Sequence, residues 1–280
     1  MTAPAGTVAV PPGLVASTTW GLVQGEFHRA VMEMRSHSER QGLLNVGWTV
    51  VPGTLVEKAR NDSVRVMLSA FDGKAQWLLF VDGDMVPPPD GLLRILTTAF
   101  QTHPWADVVG GYCSLRGELA LPTIDTGTGT WESIYPGSGV REVMRTGAAF
   151  LLVKRHVFDT LPQPWFRVRD SIRPLDFMAE VDNWARIKFD GKNPFRGLPG
   201  RPWEVLERVA SEDPSSHSFT PIEVGEDSGF CDRVKNAGFR IVVDTNLEIP
   251  HLDQTVATWR THKKAMDDQK KQWLQAVGIS

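Results

Sequence analysis

The chain has 280 residues, 41% hydrophobic and 22% charged, which suits one large α/β domain or two small ones in an ordinary globular protein. A net charge of −3 excludes a general attraction to nucleic acid or anionic lipid, so a polyanionic partner needs a local basic surface. Two cysteines, Cys113 and Cys231, exclude a disulfide framework and fit a reducing compartment. No segment approaches the roughly 20 apolar residues that span a bilayer. The N-terminus has neither the charged start nor the apolar core of a signal peptide, so the expectation is a cytoplasmic protein with no membrane partner.

Thr7 to Val10 is a short apolar run closed by Pro11, Pro12 and Gly13, which predicts a buried strand entering a turn. Trp20, Val23, Phe27, Ala30, Val31 and Met34 recur at helical spacing and predict a helix from Thr18 to His37. Val46 to Val51 reads as a second strand. Thr54 and Glu57 have the spacing of a capping box, opening a helix that runs through Arg60 towards Phe71. Trp77 to Val81 is apolar throughout, as a central strand covered on both faces requires. Asp90 caps a helix from Leu92 to about Phe100, and Val108 to Tyr112 is the next strand.

The Gly/Thr-rich stretch from Leu121 to Gly139 predicts loop and hairpin. Ala148 to Val153 is again a continuous apolar strand. Glu226 to Gly238 reads as a helix with Gly238 at its stop, and Phe239 to Val243 as a short strand. A polar C-terminal helix is expected over 253–280. The alternation of strands and helices predicts an α/β fold with a mostly parallel central sheet. Residues 161–220 have weak periodicity and read as an insertion on a single domain.

The strongest chemical signal is Val81-Asp82-Gly83-Asp84-Met85, directly after the strand Trp77-Leu78-Leu79-Phe80. A period of two puts both carboxylates on one side at the carboxyl end of a parallel strand, where open α/β sheets bind ligands. Gly83 between them lets backbone and phosphate approach closely. Two hard oxygen ligands suit Mn²⁺ or Mg²⁺, with a diphosphate, water and one more side chain to fill the shell. The bland alternative is a strand ending in a polar turn.

Further down the chain come Gly225-Glu226-Asp227-Ser228-Gly229-Phe230-Cys231, then Ala237-Gly238-Phe239-Arg240, then Pro250-His251-Leu252. With the Asp-Gly-Asp element, this series resembles the GT-A glycosyltransferases, particularly the compact versions of bacteriophages. The resemblance covers roughly Thr7 to Leu115 and Arg141 to His251. It implies a GT-A (Rossmann-like) sheet with a smaller antiparallel part, and a nucleotide-sugar donor held by a divalent cation at Asp82, Asp84 and His251. It also implies Asp227 as general base, with Glu226 as the second choice, deprotonating an acceptor hydroxyl. Carboxylates in the first turn of a helix are equally favoured by its dipole, so a capping role stands beside the catalytic one.

By the same resemblance Arg60, next to Asn61, contacts the donor nucleotide. Gly147, in Met144-Arg145-Thr146-Gly147-Ala148, borders the sugar pocket. Pro11 and Gly13 sit where the family's first loop wraps the base, or form a plain turn. Cys113 and Cys231 lie in apolar patterns and read as packing residues.

Trp165, Phe166, Arg167, Trp184, Arg186 and their neighbours interleave cations with aromatics, a pattern that suits phosphates and stacked bases. Acidic residues among them leave a small net excess, so a solvated mixed-charge surface is the competing reading. Trp165 and Arg167 are expected at the acceptor, with Trp131 in the Gly-rich stretch as a further acceptor wall. The implied acceptor is a hydroxymethylated base in phage DNA, or else a hydroxyl on a virion protein or glycan, which places the work in a host cytoplasm. A nucleotidyltransferase also uses paired aspartates, but a Gly-rich, lysine-bearing phosphate loop is missing near the N-terminus. A non-catalytic nucleotide-sugar-binding module is the third class.

Overall fold

The computed structural model describes residues 10–19, 24–53, 55–115, 122–128, 131–167, 169–171 and 222–252. The chain divides into two compact units, 1–167 with 226–280, and 168–225. The expected C-terminal helix, most of the expected insertion, Thr54 and Thr7 to Ala9 lie outside the described residues.

The first unit is built on a seven-stranded sheet in the order β2 (Val46–Pro52), β1 (Gly13–Thr19), β3 (Trp77–Asp82), β8 (Phe150–Lys154), β4 (Val108–Cys113), β11 (Ile241–Ile249) and β6 (Val140–Val143). Strand β1 pairs in parallel with β2 and β3, and β4 in parallel with β11, whereas β8 and β6 run antiparallel to their neighbours. Five of the seven strands therefore share one direction. This is the mostly parallel α/β sheet with a smaller antiparallel part that the sequence implied. A separate two-residue pairing joins β5 (Ile124–Asp125) to β7 (Arg145–Thr146). In the second unit β9 (Arg169–Ser171) pairs antiparallel with β10 (Ile222–Val224).

Helices cover both faces. Phe27 and Met34 of α1 (Gly25–Arg40) and Leu92 and Ile95 of α3 (Gly91–Thr97) pack with Val15, Leu79 and Val81. Val64 and Met67 of α2 (Val56–Gly73), Val157 and Phe158 of α4 (Arg155–Thr160), and Phe230 and Val234 of α5 (Glu226–Asn236) pack with Leu14, Leu78 and Phe80 on the other face. The alternation along β3 explains this directly, since successive side chains enter opposite cores. Leu78, Leu79, Phe80 and Val81 are all fully buried, each stabilising by about 1.5–3 kcal/mol relative to exposure.

Several elements differ from expectation. The first described strand is Gly13–Thr19, so Pro11 and Pro12 lead into a strand that Gly13 opens. Thr18 and Thr19 belong to that strand, and the following helix begins only at Gly25. Helix α2 opens at Val56 with Leu55 in the capping position and no side-chain cap. Its last turn, near the expected end at Phe71, is irregular, because Ala70 leaves helical backbone and Phe71 and Asp72 take left-handed backbone (both φ 54°). After Thr97 the chain makes a π-helical turn over Thr98–Thr102 before β4. Strand β11 continues to Ile249, with a register shift between Asp244 and Glu248 where it pairs with β4.

Candidate active site

The parallel strands end at one edge of the sheet, and β8 enters from that edge. Thr18 of β1, Asp82 of β3, Leu115 shortly after β4, His251 after β11 and Ala149 before β8 are thus brought together by topology alone. They surround a cavity of about 670 Å³, whose lining also includes Gln24, Val56, Arg60, Asp84 and Glu226.

Asp84 and His251, far apart in the chain, face each other at its rim. Met85 and His251 form an isolated antiparallel bridge. The Leu252 N–H donates to the Asp84 carbonyl at 2.6 Å, and the Val86 N–H to that of Pro250 at 2.8 Å. These bonds set the His251 Nε2 3.1 Å from the Asp84 Oδ2. His251 Nδ1 lies 3.1 Å from the Ser114 carbonyl. Because a carbonyl only accepts, Nδ1 carries the proton, and Nε2 is left to hold either a second proton or a cation. A neutral imidazole lone pair facing a carboxylate oxygen is a donor set that a divalent cation reconciles, so these residues fit Mn²⁺ or Mg²⁺.

Asp82 is turned aside from that pair. Its Oδ1 accepts from the Thr18 hydroxyl at 2.5 Å and its Oδ2 from Arg60 Nη2 at 2.8 Å. Among the described residues no three His, Cys, Asp or Glu side chains stand close enough to share an ion. The expected trio is here a facing pair, Asp84 and His251, with Asp82 committed to Thr18 and Arg60. Gly83 supplies the close approach between the ends of β3 and β1. A Cβ there would lie 3.0 Å from the Thr19 methyl and 3.1 Å from the Thr18 carbonyl.

Arg60, 3% exposed, lies in the wall of the cavity. Its Nη1 donates to Glu226 Oε1 and its Nη2 to Asp82, while Phe166 lies beneath it, 5.8 Å from guanidinium carbon to ring centroid. Burial works against the charged guanidinium, yet Asp82, Glu226 and Asp227 together hold its pKa above the ordinary value. Burial also raises the pKa of Glu226, against the opposing pull of Arg60. The next residue, Asn61, is structural. Its amide donates to the Phe166 carbonyl at 2.7 Å and accepts from the Phe166 N–H at 3.1 Å, as a strand partner would.

Of the two carboxylates opening α5, Glu226 lines the cavity, whereas Asp227, the first choice from sequence, does not. Asp227 Oδ1 accepts from the Ser228 N–H at 2.6 Å, a local capping contact. The helix itself is clamped by Arg145, which donates to both oxygens of Asp232 at 2.6 and 3.1 Å.

Placement corrects the sequence assignments of Pro11, Gly13 and Trp165 and of the first residues of the expected insertion. Pro11 and Gly13 stand at the opposite end of the sheet from Asp82, since Gly13 pairs with Val46 and β1 reaches Asp82 only at Thr18. The reason is a packing one. Trp77 Nε1 donates to the Pro11 carbonyl at 2.8 Å, and a Cβ on Gly13 would fall 2.0 Å from the Trp77 ring. Trp165 is buried in the core, with Nε1 donating to the Phe158 carbonyl at 2.9 Å, so it presents no ring to an acceptor. Leu161 and Phe166, also assigned to the insertion, pack in that same core.

The remaining expected residues lie near or beyond the rim. Gly147 is buried two positions before Ala149, and a Cβ on it would sit 3.0 Å from the Thr123 hydroxyl. Half-buried Trp131 and exposed Arg167 are not among the residues that line the cavity. Asp125 and Glu132, in the stretch read as an acceptor wall, bond to the N–H of Gly127 and to Thr126 within their own loop. Thr18, Gln24 and Val56 line the cavity without having been expected there. Only the polar end of the first strand, Ser17-Thr18-Thr19, carried a signal for any of them. Cys113 and Cys231 are buried, as expected.

No protein-family model matches the chain, and no curated protein matches it. Among solved structures, it is similar to A197 from STIV, at 15% identity over 85% of each chain and a TM-score of 0.48. It is also similar to a glycosyltransferase involved in glycosylation of the major capsid of PBCV-1, at 12% identity over 73% of this chain and 79% of that one, TM-score 0.30. A third likeness is to glucosyl-3-phosphoglycerate synthase from Mycobacterium tuberculosis, a structure in complex with Mn²⁺, UDP-glucose and phosphoglyceric acid. There the identity is 12% over 76% of this chain and 87% of that one, with a TM-score of 0.32. These three TM-scores lie below 0.5, so the functional reading rests on the residues of this chain.

Proposed function

We propose that the chain is a metal-dependent glycosyltransferase that moves a sugar from a nucleotide-sugar donor to an acceptor hydroxyl. The observation that carries this reading is the Asp84–His251 pair, held face to face at the ligand-binding edge of the sheet. These two residues would hold Mn²⁺ or Mg²⁺, which supplies charge stabilisation for a leaving diphosphate. Asp82 stands beside them as a donor-side carboxylate, fixed by Thr18 and Arg60. Glu226 is the general base in this reading, taking the acceptor proton into the cavity that it lines. Its raised pKa suits a group that must bind that proton in the transition state.

The acceptor class carried from the sequence is a hydroxymethylated base in phage DNA, with a virion protein or glycan as the second choice. Support for DNA is reduced by the burial of Trp165. Most of the cation and aromatic run that suggested it lies outside the described residues. The testing experiment is a screen of nucleotide-sugar donors with Mn²⁺, reading nucleotide diphosphate release with and without hydroxymethylated DNA. Release that requires metal, and rises with one acceptor, supports the reading. Undetectable release from every donor, with no Mn²⁺ bound by the wild-type protein, removes it.

A further inference from the structure

Arg60 is the one cation bonded to both the strand that carries Asp82 and the helix that carries Glu226, among the described residues. At 3% exposure it is walled in by protein, and each terminal nitrogen is engaged with a different carboxylate. Below it the Phe166 ring is stacked 4.4 Å from Phe230, the fifth residue of α5, and meets Phe80 of β3 edge-on at 5.2 Å. The arginine and the aromatic stack under it thus join the same two elements, β3 and α5, one by charge and one by packing. Asn61, adjacent on α2, fixes the backbone of Phe166 and with it the floor on which the guanidinium lies.

We propose that Arg60 is a positioning residue, whose two arms tie donor-side Asp82 to acceptor-side Glu226 and hold the latter carboxylate at the cavity. This rests on the reading of Glu226 given above and departs from the direct nucleotide contact that the sequence resemblance implied. A planar fork is needed for such a tie, because it offers donors to two carboxylates at once in fixed directions. A lysine ammonium on a flexible stem keeps the charge and loses the fixed span. Removing the whole side chain would leave two carboxylates without their cation in a partly buried place, so the informative substitutions keep charge or shape.

The test uses the full chain as wild type, Arg60→Lys, Glu226→Gln, Asp82→Asn and the two doubles that contain Arg60→Lys. Urea midpoints give one pair of cycles, independent of any activity. Both pairs should be non-additive, with each double less destabilised than the sum of its singles. Additive midpoints for the Arg60–Glu226 pair overturn the tie. A second readout separates positioning from donor contact, by titrating a nucleotide diphosphate with Mn²⁺ and measuring transfer turnover. Arg60→Lys should lower kcat by about tenfold or more while leaving nucleotide affinity within about threefold, and should add no further loss to Glu226→Gln.

An equal loss of nucleotide affinity and turnover overturns positioning in favour of direct donor contact. If Arg60→Lys does not fold, Glu226→Asp replaces it, since that change keeps the charge and shortens the reach. It should reproduce the kcat loss at unchanged nucleotide affinity, and full turnover in this variant overturns the proposal. Non-additive midpoints in a protein that transfers no sugar uphold the tie and sink the glycosyltransferase reading instead.

Discussion

At the level of single residues, the Asp84–His251 pair is positioned by backbone, whereas Asp82 and Glu226 are held by other side chains. Asp84 and His251 are brought together by main-chain bonds across Met85 and Leu252, so replacing a side chain there leaves the scaffold intact. Asp84→Ala is expected to abolish Mn²⁺-dependent donor turnover while shifting stability by no more than about 0.5–1 kcal/mol, checked by a thermal melt beside the assay. Metal-dependent turnover at the wild-type rate in that variant removes Asp84 from the metal site.

Glu226 makes a pH prediction at the same scale. Burial raises its pKa above the ordinary glutamate value of 4.5, and a base must be ionised to accept a proton. Transfer should therefore fail as pH falls through a value above 4.5, and this acid limb should be absent from the residual activity of Glu226→Gln. A limb unchanged in that variant assigns it to another group. The two thiols are the third case. Burial pushes Cys231 up to about 12 and Cys113 higher still, so neither is a nucleophile at neutral pH. Both should resist alkylation by iodoacetamide in the folded protein and react together on unfolding, as followed by mass spectrometry.

At the level of elements, the site is an edge formed where five co-directional strands end and β8 begins. Its precision depends on close packing between β1 and β3, which two glycines permit at opposite ends. Gly13 lies against the Trp77 ring and Gly83 against Thr18 and Thr19. Gly13→Ala places a methyl where the indole already lies and should destabilise the fold by about 1–3 kcal/mol without touching the site. Gly83→Ala pushes against backbone beside Asp82, so it should weaken nucleotide binding out of proportion to its effect on the urea midpoint. If both variants lose stability and binding in the same proportion, the two ends of the β1–β3 seam are not functionally distinct.

At the level of the whole molecule, binding should be visible as stability. A ligand that binds only the folded chain stabilises it by about 2.7 kcal/mol at a concentration of 100 Kd. Mn²⁺ with a nucleotide diphosphate should accordingly raise the melting temperature of the wild type, and the rise should vanish in Asp84→Ala. Neither component alone should reproduce it, because the proposed site holds the cation with two side chains and needs the diphosphate to complete its shell. No described helix is long and apolar enough to cross a membrane. Acceptor binding tests the remaining expectation. Steep weakening with salt accords with DNA, and binding indifferent to salt favours a protein or glycan.

What the chain alone determined is local. A continuous apolar run ending in Asp-Gly-Asp defines a central strand with two carboxylates at its tip, because side-chain alternation and burial are properties of consecutive residues. The helix that opens at Glu226 was legible for the same reason, and the order of motifs suggested the company they keep. Tertiary structure decided which of these groups meet. It paired Asp84 with His251, gave Asp82 to Thr18 and Arg60, and placed Glu226 at the cavity while Asp227 caps its own helix. It also set Gly13 at the start of a strand whose far end carries the site and buried Trp165, because an aromatic among cations looks the same in sequence whether it faces solvent or core. Such choices depend on where the chain returns after a hundred residues or more, and no local periodicity carries that information.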